Sequence, residues 1–132
     1  MPRRPADALL VLVLLQACHS IEEYSFQLWE VLAPARAVAR AISVDPAVGF
    51  ILSNSLLVGF GLWCWAVPVR RGWASAAAFL WGWGLIETAN GFGHLALAAA
   101  AGGYFPGLYT APLLIGAGGW LIVSLRGERR PA

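Results

Sequence analysis

His19, Glu22 and Glu23 stand close together in the segment Cys18-His19-Ser20-Ile21-Glu22-Glu23. At ~100° of turn per helical residue, these three side chains fall within one third of a helix surface. Gln16, one turn earlier, and Glu30, nearly three turns later, are expected to extend the same stripe. A second group, Glu87, Asn90 and His94, is spaced i, i+3 and i+7, again one face of a helix. Asn54, between Ser53 and Ser55, is the strongly polar residue of a third apolar stretch. Three carboxyls and two imidazoles in apolar surroundings would carry a formal charge of −3 with both His neutral. Two remedies exist. A divalent metal (Zn, Fe or Mn) suits imidazole and carboxylate ligands, which makes His19, Glu22, Glu23, Glu87 and His94 the candidate metal ligands. Alternatively, desolvation and mutual repulsion keep carboxyls protonated and ready for acid–base work. Glu87, Glu23 and His19 are the candidate catalytic groups on either account. Asn54, Asn90, Tyr104 and Tyr109 are the candidates for orienting a substrate, the two Tyr from a segment expected to cap the site. Carboxylate sites in helical bundles use Glu-x-x-His, whereas this chain runs His-x-x-Glu, so that parallel is loose. Cys18 points ~100° away from His19 and Cys64 lies in another stretch, so both are read as packing.

The setting explains why such residues matter. Of the 132 residues 59% are hydrophobic and only 12% charged, with a mean hydropathy of +0.67. An ordinary soluble domain carries roughly a quarter charged residues, and disordered chains lack this apolar content. Nine basic residues, all Arg, face seven acids, and they stand in short groups rather than one stripe. No nucleic-acid partner is therefore expected. Two Cys inside apolar runs imply neither a disulfide framework nor a Cys-based zinc site. The composition is that of an integral membrane protein, in which a charged residue at mid-span costs at least ~2.5–3.5 kcal/mol and so marks function by default.

A spanning helix needs ~20 mostly apolar residues. Four stretches qualify: residues 8–32, 47–69, 73–101 and 108–125. The fold class expected is all-α, an antiparallel bundle of four transmembrane helices forming one domain over residues 1–132. Pro34 and Asp45-Pro46 bracket the first connection, Pro68 and Arg70-Arg71-Gly72 end the second span, and Gly102 to Gly107 end the third. At ~1.5 Å of rise per residue, His19 to Glu23 lie ~16–23 Å from the inner face and Glu87 to Asn90 ~21–26 Å. Asn54 lies ~20 Å from the same face of a ~30 Å core. Residues remote in sequence thus reach one level in the outer half of the bilayer, with His94 and the Tyr104–Thr110 segment expected higher, near the outer boundary. Gly82, Gly84, Gly91 and Gly93 are expected to let helices approach, and Trp29 and Trp73 to sit at the membrane interface. Trp63, Trp65, Trp81 and Trp83 are read as packing before pocket walls.

Arg3, Arg4, Arg70, Arg71, Arg126, Arg129 and Arg130 share one side of such a bundle, and only Arg36 and Arg40 lie on the other. Positive residues are retained inside, so both termini are expected in the cytoplasm and the protein in the inner (cytoplasmic) membrane. A competing reading takes Leu15-Gln16-Ala17-Cys18 as a lipoprotein signal with Cys18 lipidated. The helical pattern running past Cys18 and the three later spans argue against it.

His19-x-x-Glu22-Glu23 in a first membrane helix, with Asn90-x-x-x-His94 in a later one, resembles the HXXEE family of small membrane proteins. Glu87 and the Tyr104-Phe105-Pro106-Gly107-Leu108-Tyr109-Thr110 segment match that family as well, and the resemblance covers nearly the whole chain. The family is largely uncharacterised, so the resemblance implies an architecture and a shared site but no reaction.

Three classes of function follow. The first is a membrane enzyme on a lipophilic small molecule, either metal-assisted or a metal-free acid–base isomerase or cyclase. The second is a component of a proton- or ion-coupled transporter, weakened by the lack of an inverted repeat. The third is a structural partner. The lipid bilayer is the expected surroundings, and self-association into a homo-oligomer stays open.

Overall fold

The computed structural model describes residues 3–127, which form helices and turns only. The elements are α1 (Arg3–Ser25), α2 (Leu28–Val31), α3 (Ala33–Ile42), α4 (Pro46–Cys64), a π-helical turn (Trp65–Val69), α5 (Ala76–Ala101) and α6 (Ala111–Gly127). The fold is all-α. Two helices, Arg4–Ser25 and Pro46–Val69, are long and apolar enough to cross a membrane. α5 is longer but carries Glu87, Asn90 and His94, and α6 is apolar over 17 residues.

Local chemistry sets the helix ends. The Asp45 side chain accepts the Ala47 N–H at 2.9 Å and Pro46 opens α4, as a capped helix start requires. Pro68 has no N–H to give and its ring crowds the preceding turn, so α4 widens into the π turn, with Arg70 N–H bonding Trp65 O at 3.0 Å. Gly102, at φ 69°, closes α5.

The stretch 8–32 is not one helix. α1 ends at Ser25, and Gln27 takes the left-handed conformation at φ 55°, which L residues with side chains rarely adopt. No Gly or Pro marks this bend. Its compensation is burial: past it, Leu28 and Trp29 fold inward, with Trp29 5.1 Å from the Phe50 ring. Trp29 is therefore a core residue and not an interface anchor. The connection to α4 is also more than a loop, since α3 crosses α4 at backbone distance. A Cβ on Gly49 would lie 2.0 Å from the Ala39 carbonyl oxygen, so only Gly permits this crossing. Arg36 holds the elbow by donating to Trp29 O at 2.8 Å and to Glu30 O. Glu30 pairs with Arg36 at 3.4 Å on the surface and does not continue the α1 stripe.

Two apolar clusters bracket the polar residues. One joins Leu9, Leu12 and Val13 of α1 to Leu80 and Trp83 of α5 and Leu114 and Leu121 of α6. The other joins Leu28, Trp29, Ala39, Phe50, Ala98 and Phe105. Along α1 into α2, and along α5, the order is apolar cluster, polar block, apolar cluster. Of the α5 glycines, Gly84 and Gly91 face α6 closely, whereas Gly82 and Gly93 meet nothing within 4 Å.

Candidate functional site

α1 and α5 bring their polar faces together, and the 102–110 connection closes over them. His19 and His94 meet edge to face with ring centroids 4.6 Å apart. Glu23 lies between them, its Oε1 at 3.1 Å from His94 Nε2 and 3.4 Å from His19 Nε2. All three side chains are buried. Their candidate ligand atoms lie within 4.8 Å of one another, so this group could hold a metal ion. Donors at ~2.0 Å from a tetrahedral ion stand about 3.3 Å apart, close to the two Glu23 contacts.

The hydrogen-bond network fixes which imidazole nitrogens carry protons. His94 Nδ1 lies 2.7 Å from the Pro106 carbonyl oxygen, which can only accept, so Nδ1–H donates. Thr110 Oγ1 donates to Glu22 Oε2 at 2.6 Å, which uses its single proton. His19 Nδ1, 2.6 Å from that same hydroxyl oxygen, must therefore donate too. Both neutral rings then turn a bare Nε2 lone pair toward a carboxylate oxygen. His19 Nε2 is buried with no hydrogen-bond partner. Three converging acceptors repel one another unless a cation or a shared proton lies between them. Imidazoles whose other nitrogen is held by a carbonyl or hydroxyl are the usual surroundings of a metal site.

The adjacent glutamates divide their work. Glu22 faces the 102–110 connection and accepts four hydrogen bonds: Tyr104 OH at 2.8 Å, Tyr109 N–H at 3.0 Å, and Thr110 N–H and Oγ1 at 2.9 and 2.6 Å. Burial and the neighbouring carboxylate push the Tyr104 phenol above its usual range, which keeps it a donor. Glu22 is thus outside the three-ligand group, contrary to expectation. It orients His19 through Thr110. Gly107 seats the loop on the two rings: at φ 92°, an added Cβ would lie 2.5 Å from His94 Nδ1 and 2.7 Å from His19 Cε1.

Glu87 is 2% exposed and accepts from Asn90 Nδ2 at 3.3 Å. It too is outside the ligand group. His94, expected higher, lies beside Glu23. Asn54 accepts from Ser20 Oγ at 2.7 Å. Tyr109 contributes its backbone N–H, while its side chain is 69% exposed. Cys18 is exposed and Cys64 buried, and neither joins the site.

A cavity of about 470 Å³ opens beside these groups. Gln16, Glu23, Asn54, Asn90 and His94 supply its polar wall, and Leu28, Leu32, Val38, Phe50 and Leu57 much of its apolar one. The sequence reading did not anticipate the roles of Thr110, Pro106 and Gly107, although the Pro-Gly pair is a turn signal. Nor did it anticipate the cavity, whose roof is built by α2 and α3.

No curated protein and no solved structure matches this chain. The family model described as a protein of unknown function with HXXEE motif matches residues 10–121, the stretch that carries His19, Glu22, Glu23, Glu87 and His94. The chain belongs to the HXXEE family.

Proposed function

We propose that this protein is a membrane-embedded enzyme in which His19, Glu23 and His94 hold a divalent metal beside a chamber for a lipophilic substrate. The observation that carries the reading is the convergence of His19 Nε2, which has no hydrogen-bond partner, and His94 Nε2 on Glu23 Oε1. Three protein ligands with a free position are the pattern of catalytic rather than structural metal sites. When bound, such an ion polarises a substrate oxygen or activates water. Glu87, buried behind the wall residue Asn90 that donates to it, is the acid–base group left over from the ligand set. Asn54 and Asn90 orient the substrate, and the apolar wall excludes bulk water. If no metal binds, a proton shared between Glu23 and an imidazole resolves the same crowding, and the site becomes that of an isomerase or cyclase. The buried Glu87 carboxyl, separate from the Glu23 group, favours keeping that second reading.

The bilayer setting proposed is four spans: α1, α4 with its π turn, α5 and α6. Large apolar side chains point outward from all four, among them Ile21, Leu56, Ile86 and Val123, each at least 65% exposed. That pattern suits lipid and not water. α5 is ~39 Å long and α6 ~26 Å, adequate for a ~30 Å core with loop ends in the interface. With seven Arg on one side and two on the other, both termini face the cytoplasm of an inner membrane. A reporter fused to the C-terminus should read as cytoplasmic, and a periplasmic signal would overturn the orientation.

The enzyme reading is tested by comparing lipid extracts of cells lacking the protein with cells supplied with variants. Glu87→Gln is nearly isosteric and removes a buried charge, so it should fold and insert normally. Its extract should match the deletion strain. A wild-type lipid profile from folded Glu87→Gln protein would remove Glu87 from the chemistry, and identical extracts from all strains would contradict an activity on lipids.

A further inference from the structure

The polar contacts between α1 and α4 form a chain with a defined direction. Asn54 Nδ2 donates to the Phe50 backbone carbonyl at 3.0 Å, so Asn54 Oδ1 faces the other way. Ser20 Oγ donates to that Oδ1 at 2.7 Å, which uses its only proton. Ser20 Oγ can then only accept, and Gln16 Nε2 donates to it at 3.1 Å. A backbone carbonyl at one end thus fixes every orientation up to the Gln16 amide. The other end, Gln16 Oε1, is buried without a hydrogen-bond partner. Gln16 is 2% exposed and belongs to the wall of the cavity that also reaches Glu23 and His94. Flipping the amide offers no relief, because Oε1 would then face an oxygen whose proton is already given to Asn54. Among the other polar groups of that wall, Ser53 Oγ and Asn54 Nδ2 donate to the Phe50 carbonyl and Asn90 Nδ2 to Glu87. A buried, unmet acceptor costs about 1–3 kcal/mol, and a donor brought by a ligand recovers it.

We propose that the ligand of this cavity is a neutral amphiphile bearing a hydroxyl, whose O–H donates to Gln16 Oε1 while its chain lies along Leu28, Leu32 and Val38. This deepens the reading of the cavity as a substrate chamber, on which it rests. The hydroxyl oxygen is then on the same wall as Glu23 and His94. A hydroxyl is preferred over a carboxylate, which would set two acceptors against each other at Gln16 and add charge beside Glu23. It is preferred over an ether, which has no proton to give. Gln16 is a specificity-determining residue in this account, since a site built to bond a donor discriminates strongly against an analogue lacking it.

The test uses dodecanol and dodecyl methyl ether as probes, titrated against the full-length protein in mild detergent, with thermal stabilisation as the readout. Wild-type protein should bind the alcohol about tenfold more tightly than the ether. Gln16→Met, similar in length and without an acceptor, should bind the two equally while keeping the wild-type melting behaviour without ligand. Should Gln16→Met fail to fold, the alcohol-to-ether ratio of the wild type decides alone. Equal affinities in the wild type, or a preference that persists in Gln16→Met, would overturn the proposal. Metal content measured on the same samples separates the two readings. Alcohol preference without metal sustains this inference and removes the metal. Metal without alcohol preference removes this inference and leaves the metal.

Discussion

Replacing Glu22 with Leu should cost the protein most of its stability. Four donors converge on this carboxylate, two of them backbone N–H groups of the partly buried 102–110 connection. Leucine leaves all four unmet. At about 1 kcal/mol per donor, a discounted figure suited to membrane interiors, the loss is about 4 kcal/mol. That is a large share of the ~5–15 kcal/mol that holds a typical domain. The melting temperature in detergent should fall sharply, and the amount of protein in the membrane fraction should fall with it. Glu22→Gln keeps an acceptor and should be milder. Glu23→Leu should differ in kind, because it relieves three crowded acceptors. A Glu22→Leu protein as stable as wild type would mean that the carboxylate does not hold the 102–110 connection.

The second large effect is expected at Gly107. Its φ of 92° already disfavours any side chain, and a methyl group there overlaps both imidazoles. Gly107→Ala should destabilise by about 2–4 kcal/mol, combining backbone strain with overpacking. Its sharper consequence is displacement of His19 and His94 from their Nδ1 partners. Misplacing the groups that orient metal-bound His weakens metal affinity about 10–100-fold. Titrating metal into Gly107→Ala at a temperature where it is still folded separates the two effects. Unchanged affinity in folded Gly107→Ala would show that the loop does not set the ring positions.

Much of this arrangement was legible in the residues themselves. His and Glu at helical spacing, and the equal level of the polar groups on α1, α4 and α5, grouped Glu23, Glu87 and Asn54 before any coordinates, while His94 was expected higher. Other features depend on what periodicity does not encode. Glu22 and Glu23 differ by ~100° around α1, and only the neighbouring elements decide which meets the imidazoles and which meets the loop. The bend at Gln27 follows from burial of Leu28 and Trp29 and has no Gly or Pro to announce it. Glu30 was misplaced for that reason, and α3 was overlooked because its apolar face is short and its Ala39–Gly49 crossing is a tertiary fact. The proton directions at His19, His94 and Gln16 rest on Thr110, Pro106 and Phe50, which are remote in sequence or contribute only backbone.

The most direct measurement of the central claim is the elemental content of the protein purified in mild detergent without chelators and then equilibrated with zinc, iron or manganese. The account predicts one tightly held divalent ion per chain. It predicts loss of that ion in folded His19→Ala and His94→Ala, and retention in Glu87→Gln, which lies outside the ligand group. Wild-type protein that retains none of the three ions, or folded His94→Ala that retains as much as wild type, would contradict it.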